Sequence, residues 1–516
     1  MKHSYKRITK LFVTILLVLL FILLLRSDLN NTYPKGVDTY DLSYLSKSIK
    51  ENHYIVWNIN LPTVLGLTSF SYPPGGIIFL AEVSELTNLG IIESIILWNY
   101  FFIITCGLTF FLITKKIFKN NVVAIISTIV YLSSKFFIGY SQSYTSRNIL
   151  HLLFLSILLL LLEKIDMKKI IIIMLLLIIS IITHRAVILI LLFLIIFIIS
   201  KFLNKFYKNN NYQNLCIIIL TVLTFLSMIH FFGHVKIGTE STKIPFNIGI
   251  TYIDNIISIL YTISMHFGIL IILLPVGYYF LVIKKEKTFE DFFILISWII
   301  LSGLLVETIY AFYFIVPIIV ITISYYTIKI QSLNNKIKYQ IILALIILAP
   351  IVPMYITVSD SSDDYTFVRP QTLSLGSFLE GSINQSIICN NHVIYCAQIS
   401  GISNKIKSST HASGRTIIEQ IEIETIQISL TNLRSQITVK DKTLETPLYA
   451  DSYTSAIINW DISIPDLEKL LELTNVKYII DSTNPDSIRN RPNIEKKFGY
   501  MNQIYNNGLQ QIKVIE

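Results

Sequence analysis

The stretch GVDTYDLSYLSKSIKENHYIVWNINLPTVLGLTSFSYPPGG, residues Gly36–Gly76, lies between segments that are apolar enough to cross a membrane. It carries two aspartates three residues apart, Asp38 and Asp41, and it ends in the turn Tyr72-Pro73-Pro74-Gly75-Gly76. This contrast with the flanking chain makes the stretch the first candidate for a functional site.

The composition of the whole chain indicates an integral membrane protein. Of its 516 residues, 53% are hydrophobic and 15% are charged, which is too apolar for a soluble globular protein. The chain before Val358 holds 28 Lys and Arg against 15 Asp and Glu, whereas the remainder holds 14 against 18. The basic excess therefore belongs to the membrane part, where it predicts cytoplasmic anchoring charge rather than binding to nucleic acid.

Eleven apolar segments predict membrane-spanning helices. The first, Leu11–Leu25, follows a basic N-terminus, and because no small-residue cleavage site comes after it, we interpret it as an uncleaved span. Several others are shorter than the roughly 20 residues that cross a bilayer, so length does not fix their ends. The other ten are Ile92–Thr114, Val122–Ile138, Ile149–Leu162, Ile170–Thr183, Ala186–Ser200, Leu215–Phe232, Ile256–Ile283, Phe292–Val306, Ile309–Ile328 and Ile341–Val358.

Lysine clusters predict which connections face the cytoplasm. If the N-terminus is cytoplasmic, every second connection between spans is rich in lysine, in agreement with the positive-inside rule. An odd number of spans then places the chain from Ser359 outside, on the same face as the long first loop, residues 26–91. The lysines are Lys115, Lys116 and Lys119; Lys164, Lys168 and Lys169; Lys201, Lys205 and Lys208; Lys284, Lys285 and Lys287; and Lys329, Lys336 and Lys338.

The first outer loop has a pattern of its own. Asp41–Asn52 predicts a short amphipathic helix, and Gly36 lets the chain turn before it. If both aspartates are helical, Asp38 and Asp41 project from one face near the helix N-terminus, where the helix dipole favours carboxylates. One of them could instead be only an N-cap.

The second half of this loop predicts a turn and a further helix. Each proline of the turn restricts the residue before it, so any helix stops there. Ile77–Leu89 can restart as a helix along the membrane surface, since Glu82 and Glu85 make it a poor transmembrane segment.

The C-terminal residues 359–516 predict a small α/β domain that folds in water. Pro465–Leu473 is typical of a helix, Lys477–Asp481 of a strand, and Met501–Tyr505 with Gln510–Ile515 of a hairpin. Two cysteines lie in this part, on the oxidising side of the membrane. Cys389 and Cys396 could form a disulfide across a tight loop, which we favour over a metal site with His392.

The order of features in loop 26–91 carries a family resemblance. The loop follows a basic-flanked span and contains, in order, an acidic motif, a surface helix, the Tyr72-Pro73-Pro74-Gly75 turn and a second surface helix. This order resembles the first external loop of the GT-C superfamily. This superfamily of membrane glycosyltransferases includes protein O-mannosyltransferases, aminoarabinose transferases and oligosaccharyltransferases. Two later segments are also similar to segments of these enzymes, Tyr144-Thr145-Ser146-Arg147 at the head of a span and Glu307–Val316 before Pro317. The arginine that usually precedes the tyrosine of the second segment is missing here.

The resemblance implies the architecture and the reaction. It implies an α-helical polytopic membrane protein with about 11 transmembrane helices, a GT-C-like domain over residues 1–358 and an extracytoplasmic α/β domain over residues 359–516. The expected reaction moves a sugar, with inversion, from a polyprenyl-phosphate-linked donor in the membrane lipid to an acceptor glycan, lipid or protein on the outer face. Because a phosphate leaving group needs little protonation, one general base suffices. Asp38 matches the acidic position of the family better, and Asp41 is the weaker partner as second base, metal ligand or cap.

The donor phosphate needs positive charge near the outer interface. Arg147 and Arg185 lie at outward span ends, although each could equally extend its stem to reach the interface without binding phosphate. His53 and Tyr72 belong to the same loop as the acidic motif and complete the expected substrate-binding set. Glu307 opens an outward span end and is functional if it faces the bundle interior.

Metal dependence and two other functions stay open. Mg or Mn would need several carboxylate oxygens, which Asp38, Asp41 and Glu307 could supply. The Trp-Trp-Asp signature of a catalytic oligosaccharyltransferase subunit is absent from the C-terminal part, which argues against protein N-glycosylation. The alternatives are a transporter or flippase of lipid-linked sugars, in which charges would lie in mid-span beside paired half-helices, and a non-catalytic assembly protein of the cell envelope, which would need no acidic motif.

Overall fold

A computed structural model describes the first loop, most of the apolar helices and parts of the C-terminal region. The described residues do not include Tyr72, Glu307, Cys396 or the predicted span Leu11–Leu25. They include only a few residues of the predicted spans Leu215–Phe232 and Ile341–Val358. The described residues are 33–55, 61–65, 73–164, 166–207, 219, 222, 267–284, 286–305, 310–331, 345, 346, 349, 368–382, 386–390, 398, 399, 402, 403, 406–408, 425–429, 434–439, 442–447, 476–482, 502–507 and 510–514.

The described part of the first loop contains three helices, α1 (Val37–Asn52), α2 (Leu61–Leu65) and α3 (Gly75–Thr87). The predicted start of the first helix at Asp41 was one turn too late. Gly36, with φ 97°, takes a backbone conformation that glycine adopts at little cost, so the helix begins directly after it. Asp38 therefore lies in the first turn of α1.

Helices α1 and α3 pack on each other through their apolar faces. Leu42 and Leu45 of α1 and Ile77 and Leu80 of α3 are at most 1% exposed and belong to one apolar core. The hydroxyl of Ser46 donates to the carbonyl of Ile77 at 3.0 Å across this contact. The predicted amphipathic helix of the loop is therefore buried on the side that the sequence pattern indicates.

The apolar region contains a bundle of helices. Among the described residues, two of them are long and apolar enough to cross a membrane alone, and a third crossing results if a bent pair counts as one span. The predicted number of eleven spans stays a prediction. The helices are α4 (Ile91–Phe118), α5 (Asn121–Ser133), α6 (Lys135–Ser141), α7 (Ser146–Leu161), α8 (Met167–Thr183), α9 (Val187–Tyr207), α10 (Leu273–Ile283), α11 (Phe289–Leu305) and α12 (Ala311–Gln331), with a short 3₁₀ helix at Gly268–Ile272.

The predicted span Val122–Ile138 is not one continuous helix. Helices α5 and α6 meet at an angle of 62°. Ser134 lies between them in an extended conformation, donates its hydroxyl to the carbonyl of Tyr131 at 2.7 Å and accepts from the N–H of Phe137 at 3.3 Å. One serine thus closes the first helix and caps the second, which local hydrophobicity alone does not reveal.

Three of the helix ends that carry lysines predicted to be cytoplasmic lie close to one another. Asp291, fully buried at the start of α11, accepts from Lys284 Nζ and from the Tyr325 hydroxyl, each at 2.6 Å. The ring of Tyr325 lies 5.0 Å from that of Phe118 at the end of α4. The end of α4, the connection before α11 and the end of α12 therefore lie together. The full alternation of lysine-rich connections stays a prediction.

The C-terminal region contains helix α13 (Pro370–Ser382) and two sheets. The five-stranded sheet has the order β2-β1-β6-β8-β7, with β1 parallel to β2 and β6, and β8 antiparallel to β6 and β7; β3, β4 and β5 form an antiparallel sheet. The predicted strand and hairpin are present as β6 to β8, whereas the predicted helix Pro465–Leu473 lies outside the described residues. The strands are β1 (Ser386–Asn390), β2 (Ile406–Ser408), β3 (Thr425–Ser429), β4 (Arg434–Val439), β5 (Lys442–Pro447), β6 (Val476–Ser482), β7 (Gln503–Asn506) and β8 (Gln510–Val514).

An apolar contact joins the first loop to the start of the C-terminal region. Tyr40 of α1 is fully buried and packs with Val368, close to Leu373 and Ile402. The start of the C-terminal region therefore lies beside α1. The predicted side of the membrane stays a prediction. The division of the chain at residue 358 stays a prediction.

Candidate active site

Asp38 and Arg147, 109 residues apart in sequence, form an ion pair. Asp38 lies in the first turn of α1 and Arg147 in the first turn of α7, and Arg147 Nη2 donates to Asp38 Oδ2. The Asp38 side chain is 37% exposed and that of Arg147 is 23% exposed. The two charges are thus held together while both stay accessible to a ligand.

Neutral hydrogen bonds on either side of the pair fix its position. The N–H of Lys35 donates to the carbonyl of Gln142, and the N–H of Tyr144 donates to the Thr39 hydroxyl, both at 2.9 Å. The turn before α7 is held in place by the buried amide of Asn148, which donates to the carbonyl of Ser143 at 2.7 Å. The backbone near Asp38 and Arg147 is therefore placed independently of their charges.

The proline-glycine turn of the first loop packs directly on the start of α7. The hydroxyl of Tyr144 donates to the carbonyl of Gly76. A Cβ at Gly76 would lie 2.9 Å from Ser146 Cβ and would overlap the Ser146 hydroxyl. Only glycine permits this close approach, so the second glycine of the motif has a packing role beside Arg147.

Two tyrosines at the start of α12 contact both arginines of the site. The hydroxyl of Tyr313 accepts from Arg147 Nη1 at 3.3 Å, and that of Tyr310 accepts from Arg185 Nη2 at 3.2 Å. The Arg147 guanidinium lies 5.8 Å from both ring centroids, and that of Arg185 lies 5.6 Å from Tyr310. Ring faces attract cations at such distances. Tyr310 therefore brings the two arginines to one place despite their like charge.

His184, next to Arg185, is buried rather than exposed at an interface. Its side chain is 4% exposed, and its ring centroid lies 5.4 Å from that of Tyr310. Burial, together with the charges of Arg147 and Arg185, lowers the pKa of His184 to about 3. Its Nδ1 accepts from the N–H of Ala186 at 3.0 Å, so the neutral imidazole fixes the turn that presents Arg185.

The structure brings together Asp38, Arg147 and Arg185 of the predicted site residues. Asp41 lies one turn further along α1 and is 3% exposed. His53 is exposed at the opposite end of α1, about 22 Å along the helix axis from Asp38. Sequence reasoning missed Tyr310 and Tyr313 as site residues, although the tyrosine-rich segment that contains them was singled out. Tyr72 and Glu307 lie outside the described residues.

Asp38 has a charged partner but no cluster of metal ligands among the described residues. No three His, Cys, Asp or Glu side chains come together within the described part of the chain, whereas Mg or Mn takes several oxygen ligands. The charged group bonded to Asp38 is a guanidinium. The ligand set of Asp38, Asp41 and Glu307 stays a prediction, and no step below is routed through a metal.

Comparison with known proteins shows which fold this arrangement belongs to. No protein-family model and no curated protein sequence matches the chain. The oligosaccharyltransferase of Archaeoglobus fulgidus in its apo form matches with a TM-score of 0.57 and 12% identity, over 91% of this chain and 69% of that one. The same protein, AglB, in complex with an inhibitory peptide and a dolichol-phosphate has a TM-score of 0.56 and 11% identity over the same shares. ArnT from Cupriavidus metallidurans bound to undecaprenyl phosphate matches with 0.55 and 9% identity, over 99% of this chain and 98% of that one. The chain therefore shares the fold of these two membrane proteins.

Proposed function

We propose that this protein is a membrane glycosyltransferase that moves a sugar from a polyprenyl-phosphate-linked donor to an acceptor. The observation that carries the proposal is the meeting of Asp38 with Arg147 at one end of an apolar helix bundle. Such a transfer needs a base for the acceptor and positive charge for the departing phosphate. The carboxylate supplies the first, and the two guanidinium groups supply the second. The similar structures of AglB and ArnT contain dolichol-phosphate and undecaprenyl phosphate, respectively, which supports this class of donor.

The proposed chemistry gives each charged residue a separate task. Arg147 and Arg185 bind the phosphate oxygens and stabilise the negative charge that grows on the carrier as the sugar leaves. Asp38 takes the proton from the acceptor hydroxyl or amine as that group attacks the anomeric carbon. Attack opposite the phosphate inverts the anomeric configuration. Analysis of the product by NMR tests this point, and retention of configuration would contradict it.

We also propose which side of the membrane the site faces. The Asp38 end of the bundle faces outward with the C-terminal region, and the end with Asp291 and the lysines faces the cytoplasm. The acceptor is a glycan, a lipid or a protein on the outer face. Labelling of single cysteines introduced near the two ends, with a reagent that cannot cross the membrane, tests the orientation.

A lipid-linked-sugar transporter is the second candidate, and one observation favours it. The break between α5 and α6 resembles the discontinuous helices on which transporters build their sites. A transporter moves its substrate without breaking the sugar–phosphate bond. The chemistry at that bond therefore separates the two functions.

The decisive experiment uses the purified full-length protein in liposomes that contain a panel of polyprenyl-monophosphate sugars and polyprenyl-diphosphate sugars, supplied with glycan, lipid and protein acceptors. Free polyprenyl phosphate or diphosphate, measured by mass spectrometry, reports transfer whatever the sugar is. We expect Asp38→Asn to lower this release by at least about 100-fold, the contribution of a general base. Glu51→Gln, an exposed substitution at the other end of α1, serves as the matched control and keeps wild-type release. Full release by Asp38→Asn would contradict the catalytic assignment, and movement of intact donor without release would favour the transporter.

A further inference from the structure

The two groups that the proposed reaction uses separately are bound to each other in this structure. Arg147 Nη2 donates to Asp38 Oδ2. While one Asp38 carboxylate oxygen accepts from the guanidinium, that oxygen is not available to take a proton from an acceptor. The same contact occupies one of the Arg147 nitrogens that a phosphate would use.

The pair can separate without a change in the backbone. The first turns of α1 and α7 are fixed by the bonds from Lys35 to Gln142 and from Tyr144 to Thr39. Separation therefore needs only a rotation of the Asp38 side chain, which is more than a third exposed. The chain around the pair stays in place whichever anion Arg147 holds.

Arg147 keeps other partners when Asp38 leaves it. Its Nη1 is bound to the Tyr313 hydroxyl, and its guanidinium lies on the rings of Tyr310 and Tyr313. Arg185 contacts the Tyr310 ring as well. The Arg147 guanidinium thus stays in position to bind another anion. A phosphate that contacts both Arg147 and Arg185 is bound more strongly there than a carboxylate that contacts Arg147 alone.

We propose that the Asp38 carboxylate occupies the position at Arg147 that the carrier phosphate takes, so that binding of the donor displaces Asp38 and releases it as the base. This proposal rests on the proposed function and adds the order in which the donor and the acceptor are engaged. In the empty site the base is held by Arg147. Once the phosphate is bound, Asp38 turns to the acceptor, so the acceptor is activated only when the donor is present.

The inference predicts that removing a catalytic carboxylate improves binding of the carrier. The probe is farnesyl phosphate, a short polyprenyl monophosphate, titrated by calorimetry into the full-length protein in detergent. Asp38→Asn and Asp38→Ala are expected to bind it about two- to fivefold more tightly than the wild type, since a partly exposed ion pair contributes a factor of that size. Thermal unfolding of each variant checks that the protein is folded.

A double variant separates direct competition from a general loss of negative charge. In an Arg147→Met background, Asp38→Asn should change the affinity for farnesyl phosphate by less than about 1.5-fold, because the guanidinium for which the anions compete is gone. An equal gain in both backgrounds would overturn the inference. Equal or weaker binding by Asp38→Asn and Asp38→Ala, or wild-type affinity of Arg147→Met alone, would overturn it too. These results are independent of sugar transfer, so a failure here is distinguishable from a failure of the proposed function.

Discussion

The hydroxyl of Thr39 accepts a hydrogen bond of 2.9 Å from the backbone N–H of Tyr144, and it thereby joins the two segments that carry Asp38 and Arg147. Thr39 is fully buried, and its hydroxyl also donates to the carbonyl of Lys35 at 2.6 Å. One neutral side chain thus links the first outer loop to the turn before α7. The charged pair of the site depends on this link for its position.

Thr39→Val tests this dependence because valine has nearly the same shape and lacks the hydroxyl. The variant leaves the buried N–H of Tyr144 without its partner, and we expect a loss of about 1–3 kcal/mol in the free energy of unfolding. Thr87→Val, at an exposed position where the hydroxyl bonds only within α3, is the matched control. Thermal unfolding in detergent measures both variants. Equal melting temperatures of the two variants would show that the Thr39 bond does not contribute.

Gly76→Ala tests the close contact between the proline-glycine turn and α7. The added Cβ would overlap the Ser146 side chain, and we expect a destabilisation of about 1–3 kcal/mol. Gly139→Ala is the control, since its Cβ would meet no described atom within 4 Å. Both glycines lie in helices, so each substitution adds helix propensity, and a loss of stability confined to Gly76→Ala reports the contact. A difference below about 0.5 kcal/mol would contradict the packing role of Gly76.

Tyr313→Phe tests the contribution of α12 to the phosphate site. The variant keeps the aromatic ring beside Arg147 and removes the hydroxyl that accepts from it. We expect the KM for the lipid-linked donor to rise by about three- to tenfold with a smaller change in kcat, because the guanidinium is less well positioned for the phosphate. Tyr279→Phe, 58% exposed on α10, should behave as the wild type. A fall in kcat at unchanged KM would instead give the hydroxyl a role in the transition state.

The buried neutral His184 makes the stability depend on pH. Its pKa is lowered from 6.5 to about 3 in the folded protein, so below pH 6.5 the unfolded chain binds a proton that the folded chain does not. The free energy of unfolding therefore falls as the pH falls through 6.5, by up to about 2 kcal/mol between pH 6.5 and pH 5. In His184→Asn, whose amide oxygen can replace Nδ1 as the acceptor from Ala186, this part of the pH dependence should vanish. Identical pH profiles of melting temperature for both proteins would contradict the buried neutral state.

Much of the site could be predicted from the sequence because its segments carry local signals. The spacing of Asp38 and Asp41 singles out the first loop, and the lysine alternation predicts that this loop faces outward. The structure pairs Asp38 with Arg147 and places Arg147 and Arg185 against the ring of Tyr310. The roles of these residues stay predictions. Local pattern was sufficient here because Arg147 and Arg185 lie at the ends of apolar helices and Asp38 follows the glycine that starts the loop helix.

Other features depend on tertiary contacts that no local pattern contains. His53 shares a loop with Asp38, but the length of α1 separates them. The helix break at Ser134 is made by a serine that bonds in both directions, which hydrophobic periodicity does not detect. Tyr310 and Tyr313 become site residues only because α12 packs beside the two arginines. Their roles therefore follow from the fold and not from their own sequence segment.

The central claim is that Asp38 and Arg147 act as one catalytic centre, and the rate of carrier-phosphate release in liposomes tests it most directly. We compare Asp38→Asn, Arg147→Met and the double variant under saturating donor. Residues that act as a unit have strongly non-additive effects. The account predicts a loss of at least about 100-fold for Asp38→Asn, a clear loss for Arg147→Met, and a double variant within about threefold of the worse single variant. Wild-type release by either single variant, or losses that multiply in the double variant, would contradict it.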